Sequence, residues 1–524
     1  MLKKLPIGIQ TLSEILTNNF LYVDKTPFVV KMAQQKYFFL SRPRRFGKSL
    51  LLDTIKQAFL GNKHLFENLY LYDKWDWSQT YPVIHIDFGK NEKSYEIDTL
   101  KEKIHTLLAQ NAAHYDLLLR GRLYSDQFDN LIQDLHAKTG KRVVILIDEY
   151  DKPILDAITD TKIAQVIRDV LRGFYSCIKS NDAFVRFCFL TGVTKFSKVS
   201  LFSGLNNLQD ISIDSTYADC CGYTQTELET SFKDFLLDVN IDDLRYWYNG
   251  YNFGGSLSQK VYNPFDILLF LEKGKVFQSY WFETATPTFL IKLLLKNQYD
   301  LPQFDNLILS SNALSQCDID AIELPILMFQ AGYLTIIDVI KHDKTGIKYR
   351  LGFPNFEVKQ GFYEHVIFAI VNTIKASSIH EALWQTLANN SIEWSRLHTA
   401  VSSFFASIPH DWYRNNPMGP YEGFYASIIY ALFSAIGATT FPEDTTSSGQ
   451  MDMSIVLPDK VLILEFKLIK DSASLKETLN PALEQIKSKQ YHLKFTTLNK
   501  PIYGVGILFD TSTKTIVRLD GELL

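Results

Sequence analysis

The chain has little cysteine. Cys177, Cys188, Cys220, Cys221 and Cys317 are all there are in 524 residues, and none shows CxxC spacing. That excludes a disulfide framework and a zinc ribbon, and it fits a reducing compartment. Long hydrophobic runs are also missing: none reaches the roughly 18 apolar residues of a membrane span. The opening Met1-Leu2-Lys3-Lys4-Leu5-Pro6 leads into no apolar stretch of the kind that directs secretion. The expected location is the cytoplasm. Neither sign of charge prevails, with 54 Lys and Arg against 58 Asp and Glu. A polycationic binder is therefore excluded, and any contact with nucleic acid must use a local basic patch. Internal repeats and low-complexity segments are absent as well.

What is present is ordinary for folded domains. Hydrophobic residues make up 46% of the chain, and 37 Phe and 27 Tyr can fill large cores. The length suggests about three or four domains. Tyr37–Leu40, Val83–Phe88, Val143–Ile147 and Phe187–Leu190 are short apolar runs with helical stretches between them. Alternation of this kind predicts a doubly wound parallel sheet over residues 1–223. Residues 224–301 read as a helical, aromatic lid. In 302–375, an apolar helix ends at Gly332, and two β-rich stretches then flank Asp343-Lys344-Thr345-Gly346. A helix followed by a hairpin resembles a winged-helix unit. Asn415 to Pro420 is the best loop candidate, and 376–524 follows the order helix, hairpin, helix, strand.

Arg42-Pro-Arg-Arg-Phe-Gly47-Lys48-Ser49 fits the phosphate-binding pattern GxxxxGK[ST], except that Arg42 takes the first glycine. It follows a predicted strand and opens a predicted helix, as a phosphate loop must. Gly47 lets backbone approach a phosphate, Lys48 neutralises its charge, and Ser49 can ligate Mg²⁺. Arg42, Arg44 and Arg45 either add charge or hold the loop from outside. Asp148 ends the apolar Val143–Ile147 run, where a Mg²⁺-binding acid belongs, and Glu149 beside it can orient a hydrolytic water. The ATP-binding set is thus Arg45, Phe46, Gly47, Lys48, Ser49 and Asp148. Thr191 and Thr194, after the fourth strand, are either γ-phosphate sensors or threonines satisfied by backbone, the second being the expected reading.

A second constellation lies near the end. Asp452 and Glu465-Phe466-Lys467 flank a turn at Leu457 to Lys460. Glu465 and Lys467 share one strand face, and antiparallel pairing about that turn sets Asp452 opposite Glu465. Two carboxylates to hold Mg²⁺ and a lysine to steady charge are what phosphodiester hydrolysis needs. Glu422 in the preceding helix is a candidate third metal carboxylate, and Gln485 in the following one can orient the lysine or a water. Eight lysines against four acids between Lys460 and Lys500 form either a phosphate-facing patch or a solvated face.

Taken together, the chain resembles the bacterial AAA-ATPase-like proteins that carry a C-terminal nuclease domain of the PD-(D/E)XK superfamily. The resemblance rests on Tyr22–Thr26, Phe39–Ser49, Val144–Pro153, Phe202–Leu208, Tyr248–Tyr251, Tyr262–Phe265, Gly332–Thr335, Ile463–Lys467 and Ala482–Ile486. It implies that arginine at position 42 is usual, and that Asp452, Glu465 and Lys467 form a nuclease site. It also implies an arginine where this chain has Gln450. The resulting expectation is an α/β multidomain protein with a P-loop parallel sheet, a helical lid, a winged-helix-like segment and a restriction-endonuclease-like domain. Its expected activity is Mg²⁺-dependent, ATP-controlled cleavage of nucleic acid, DNA ahead of RNA, with a homo-oligomer left open. The alternatives are a nucleotide-switched binder or regulator that does not cut, and an ATPase whose nuclease-like domain is an interaction module.

Overall fold

The computed structural model describes residues 2–89, 96–196, 201, 207–255, 259–283, 288–297, 300–314, 323–342, 346–371, 373–389, 391–408, 422–446, 449–469 and 479–524. They form two compact units: Met1–Ala285 with Leu307–Asn355, and Thr286–Asn306 with Phe356–Leu524. These borders differ from the four segments read in the sequence, and residues 302–375 are shared between the units.

In the first unit, β1 (Tyr37–Ser41), β2 (Val83–Asp87), β3 (Val143–Asp148), β4 (Val185–Gly192) and β5 (Gln209–Asp210) make one parallel sheet. The order β2-β3-β4-β1-β5 seats β4 between the strand that leads into the phosphate loop and the one that ends in Asp148. Every residue of β1 and β3 is buried, so the sheet is covered on both faces and the strands read as unbroken apolar runs. Helix α1 (Lys48–Phe59) packs on β3 and β4. The helix Thr161–Ser180 buries Ala164, Ile167, Leu171, Phe174 and Ile178, a 3.6-residue stripe. Because all strands run the same way, their carboxyl ends share one edge, where ligands of open α/β sheets sit.

The remainder of this unit is less regular. The stretch expected as a helical lid also holds strands β7 (Asn249–Tyr251) and β8 (Val261–Tyr262); β8 pairs with β7 on one side and with β6 (Tyr223–Thr224) on the other. Helix α2 (Leu324–Ala331) stops at Gly332, and β10 (Thr335–His342) and β11 (Gly346–Gly352) form an antiparallel hairpin, joined by β9 (Leu307–Ser310) along β11. Residues 343–345 of the expected turn, and the loop at Asn415 to Pro420, lie outside the described residues, as do 202–206 of the Phe202–Leu208 segment.

The second unit centres on a mixed sheet of β12 (Thr439–Thr446), β13 (Gly449–Val456), β14 (Val461–Ile469), β15 (Ile502–Asp510) and β16 (Thr515–Leu523), in that order. Only β14 and β15 are parallel, joined through α4 (Leu479–Ser488), after α3 (Glu422–Ala435) has led into the sheet. Ala482 and Ile486, one turn apart, are buried with Met451, Ile463 and Tyr491. That stripe fixes which side of α4 faces the sheet, and Gln485 follows from it.

Candidate functional site

Two clusters of functional side chains form, one in each unit. In the first, β1 ends at Ser41 and the chain turns through Arg42 to Gly47 before α1 begins. Gly47 has φ +90°, a left-handed conformation that costs a residue with Cβ about 1 kcal/mol or more. Arg42 is 1% exposed. Its guanidinium donates to the carbonyls of Ser41 (2.9 Å), Ser212 (2.7 Å) and Tyr217 (3.0 Å), and lies 4.1 Å from the Phe253 ring. Of the two roles open to Arg42, holding the loop from outside is the one observed. Arg45 instead lines the cavity, its guanidinium 4.8 Å from the Phe265 ring centre.

Lys48 is buried and donates to the carbonyls of Arg42 (3.1 Å) and Pro43 (3.0 Å). The loop thus curls around its own ammonium. Ser49 hydrogen-bonds Asp148, at the end of β3. Burial raises the Asp148 carboxyl to about 6; the Ser49 hydrogen bond and Lys48 oppose this, while Glu149 and Asp87 add to it. These groups meet in a cavity of about 490 Å³, within the usual range for small-molecule sites. Arg44, Arg45, Lys48 and Ser49 line it together with Asp87, Asp148 and Glu149. Pro6, Ile9 and Phe265 supply apolar wall. Phe46, in the expected set, lines it too.

Asp87 is a site residue that sequence reading missed. It ends β2 as Asp148 ends β3, and the two are register partners. An acid closing a second apolar strand was the available signal. The threonines divide. Thr194 is not satisfied by backbone as expected; its hydroxyl and its N–H both donate to the buried Asp151 carboxylate. The Thr191 hydroxyl is buried and makes no hydrogen bond among the described residues.

In the second unit the turn forms where it was read, with the Leu457 N–H donating to the Lys460 carbonyl at 2.9 Å. Pairing from Val456↔Val461 to Met453↔Leu464 brings Asp452 to the level of Glu465, and Asp452 Oδ2 accepts the Phe466 N–H at 2.7 Å. Glu465 is wholly buried in β14. Gln485 bridges the cluster: its Nε2 donates to Glu465 Oε2 at 2.9 Å and its Oε1 accepts from Lys467 Nζ at 3.1 Å. Lys467 Nζ is 3.7 Å from Glu465 Oε2. An unpaired carboxylate here would cost several kcal/mol, so these partners are a condition of its burial.

Glu422 is the first residue of α3, but its side chain lies outside the described residues. Gln450 turns to the Glu443 carbonyl at 3.3 Å. Tyr491 is a second missed residue. Its hydroxyl donates to the Gln450 carbonyl at 2.7 Å and hydrogen-bonds Gln485. Burial, with Glu465 and Asp452 nearby, pushes its phenol up. No sequence pattern marks it, because it comes back to the sheet only after α4.

Among the described residues, no group of three or more His, Cys, Asp or Glu is arranged to hold a metal. The donors do fit Mg²⁺ in the first unit, where that ion is usually held by one or two carboxylates with waters and substrate phosphates. In the second, Asp452 and Glu465 offer two carboxylates. No helix among the described residues is long and apolar enough to cross a membrane.

Comparison with known proteins bears on both clusters. Residues 6–202 match the model of a family described as predicted AAA-ATPase, and residues 420–519 match one described as PD-(D/E)XK nuclease superfamily. A relative from Azotobacter chroococcum mcd 1, named "Uncharacterized protein in vnfD 5'region", is 44% identical over 526 residues. That match covers 100% of this chain and 99% of the relative.

Proposed function

This chain belongs to the family of AAA-ATPase-like proteins that carry a C-terminal PD-(D/E)XK nuclease superfamily domain, and on that premise we propose that it binds ATP with Mg²⁺ in its first unit and cleaves phosphodiester bonds of nucleic acid in its second, under control of the bound nucleotide. The observation that carries the reading is the joining of Glu465 and Lys467 through Gln485, with Glu465 fully buried and Asp452 brought to its level on the neighbouring strand.

Each residue has a task. Lys48, held by the Arg42 and Pro43 carbonyls, is placed to exchange them for phosphate oxygens. Ser49 and Asp148 would hold Mg²⁺, and Glu149 would take a proton from the attacking water. In the second unit Asp452 and Glu465 would hold a divalent ion, whose chemistry is to polarise the scissile phosphate and acidify a water. Gln485 fixes the Glu465 carboxylate with one end of its amide and aims Lys467 with the other. Lys467 then steadies negative charge as it builds on phosphate.

Glu465 Oε2 already has Gln485 and Lys467 as partners, and this favours a second reading: a nucleotide-switched protein that holds nucleic acid without cutting. A nuclease assay on the full chain separates the two. It crosses no nucleotide, ATP and a non-hydrolysable analogue with Mg²⁺, Mn²⁺ and EDTA, on DNA and on RNA. The first reading expects cleavage that needs metal and changes with nucleotide. Binding without cleavage in every combination would leave the second.

A further inference from the structure

Cys220 and Cys221 are consecutive free thiols, 0% and 3% exposed, and nothing proposed above uses them. The chain entering the pair is pinned by two cations. Arg42 donates to the Tyr217 carbonyl at 3.0 Å, and Lys25 Nζ donates to the Asp219 carbonyl at 2.8 Å. The chain leaving it is tied to the phosphate loop, since the Gly222 N–H donates to the Phe46 carbonyl at 3.2 Å. Gly222 sits at φ +87°, and a Cβ there would fall 2.9 Å from Val261 Cγ2 and 3.0 Å from the Tyr262 carbonyl oxygen. This link has no slack. A cavity of about 60 Å³ is lined by both cysteines together with Phe46, Gly47, Leu50 and Leu51. Phe46, Gly47 and Leu50 also line the larger cavity of this unit.

We propose that Cys220 and Cys221 form an oxidisable dithiol whose substrate class is peroxide, and that its disulfide disables the phosphate loop. The pair is electronically unequal in the sense such a site needs. A hydrogen bond from Cys221, with the charges of Arg42 and Lys25, holds the Cys220 thiol below its ordinary value against the opposing effect of burial. The same hydrogen bond, with burial, pushes Cys221 up. Cys220 is thus the attacking sulfur, and Cys221 beside it is the resolving one.

In the first step the Cys220 thiolate attacks one peroxide oxygen. An S–O bond forms, the O–O bond breaks, and the departing hydroxide takes up the thiol proton as water. In the second, the Cys221 sulfur displaces hydroxide from the sulfenic acid. The S–S bond forms, the S–O bond breaks, and the Cys221 proton leaves in a second water. Two thiols are oxidised and one peroxide is reduced to two waters.

The consequence is geometric. Consecutive Cα atoms lie about 3.8 Å apart, whereas relaxed disulfides span about 4.4–6.8 Å. Closing the ring must shift the backbone at 220–222 and draw the Gly222 N–H off the Phe46 carbonyl. Strained disulfides are readily reduced, so the change is reversible.

The effect on the loop rests on reading it as the ATP site; formation of the disulfide does not. The test starts from reduced full-length protein, whose affinity for a fluorescent ATP analogue is measured first. Hydrogen peroxide is then added, free thiols are alkylated, and the peptide holding both cysteines is weighed. The expected result is loss of two hydrogens with neither cysteine alkylated, a fall in affinity of roughly tenfold or more, and return of both on adding dithiothreitol. Cys220→Ser protein should keep its affinity in peroxide. Cys221→Ser protein should halt at a sulfenic acid on Cys220 that dimedone traps. Recovery of both thiols alkylated from peroxide-treated wild-type protein overturns the proposal. So does disulfide formation with affinity unchanged. Absence of analogue binding in the reduced protein fails the ATP reading alone, and the mass of the peptide still decides the pair.

Discussion

The two sites set acidic side chains beside apolar strands in opposite ways. Asp148 stands at the end of β3, on the rim of a 490 Å³ cavity, with Asp87 and Glu149 close enough to repel it. Its neutraliser, Lys48, is engaged with the loop's own carbonyls. Glu465 lies within β14, where Gln485 and Lys467 already meet its Oε2. The first site is a vessel with a charge deficit that a cation and a phosphate would fill. The second is a prearranged set of side chains. An acid on a cavity rim can be left for a ligand to meet, whereas one inside a strand needs partners within the fold.

That contrast can be broken at several points. The largest effect is expected from Lys48→Ala, which should abolish tight ATP binding and leave a folded protein, read by calorimetric titration and melting. Unchanged affinity would show that the loop is no phosphate cradle. Next is Arg42→Gly, which restores the glycine of the general pattern. Because Arg42 ties three carbonyls in the core, the variant should lose on the order of 3 kcal/mol in denaturant unfolding of the first unit. A stability equal to wild type would return Arg42 to the phosphate-facing role.

Asp148→Asn tests the charge deficit itself. The folded carboxyl is raised to about 6 from its ordinary value of 3.8. Between those values the native state binds the proton and the unfolded chain does not, so stability falls as pH rises through that window and levels off above it. Removing the charge should therefore stabilise the nucleotide-free protein by about 1–3 kcal/mol at pH 7, and by less near pH 4. A gain that does not shrink with pH would place the cause elsewhere. The smallest effect is expected from Tyr491→Phe, which deletes the hydroxyl that donates to the Gln450 carbonyl and meets Gln485, and should cost about 1 kcal/mol in the second unit.

Sequence alone carried the parts whose determinants are local. β1 to β4 are legible because buried parallel strands are unbroken apolar runs, and the phosphate loop because its groups are contiguous. The facing of Asp452 and Glu465 was readable too, since a turn at Leu457 to Lys460 and a period of two fix it. Strands β5 to β8, of two or three residues, are too short to show any period. The role of Arg42 depends on Ser212 and Tyr217, about 170 residues on, and that of Tyr491 on where the chain returns after α4. Nor does any local pattern show that 286–306 joins the second unit before 307–355 goes back to the first.

Whether the cluster of Asp452, Glu465 and Lys467 cuts phosphodiester bonds is decided by Glu465→Gln. The substitution keeps the shape and removes a buried charge, so melting should stay near that of wild type. Cleavage of nucleic acid by wild type and variant, at equal folded concentration with ATP and Mg²⁺, is the measurement. Cutting by the wild type is expected, and none above background by a variant that still binds ATP normally. Equal cutting by the folded variant would contradict it.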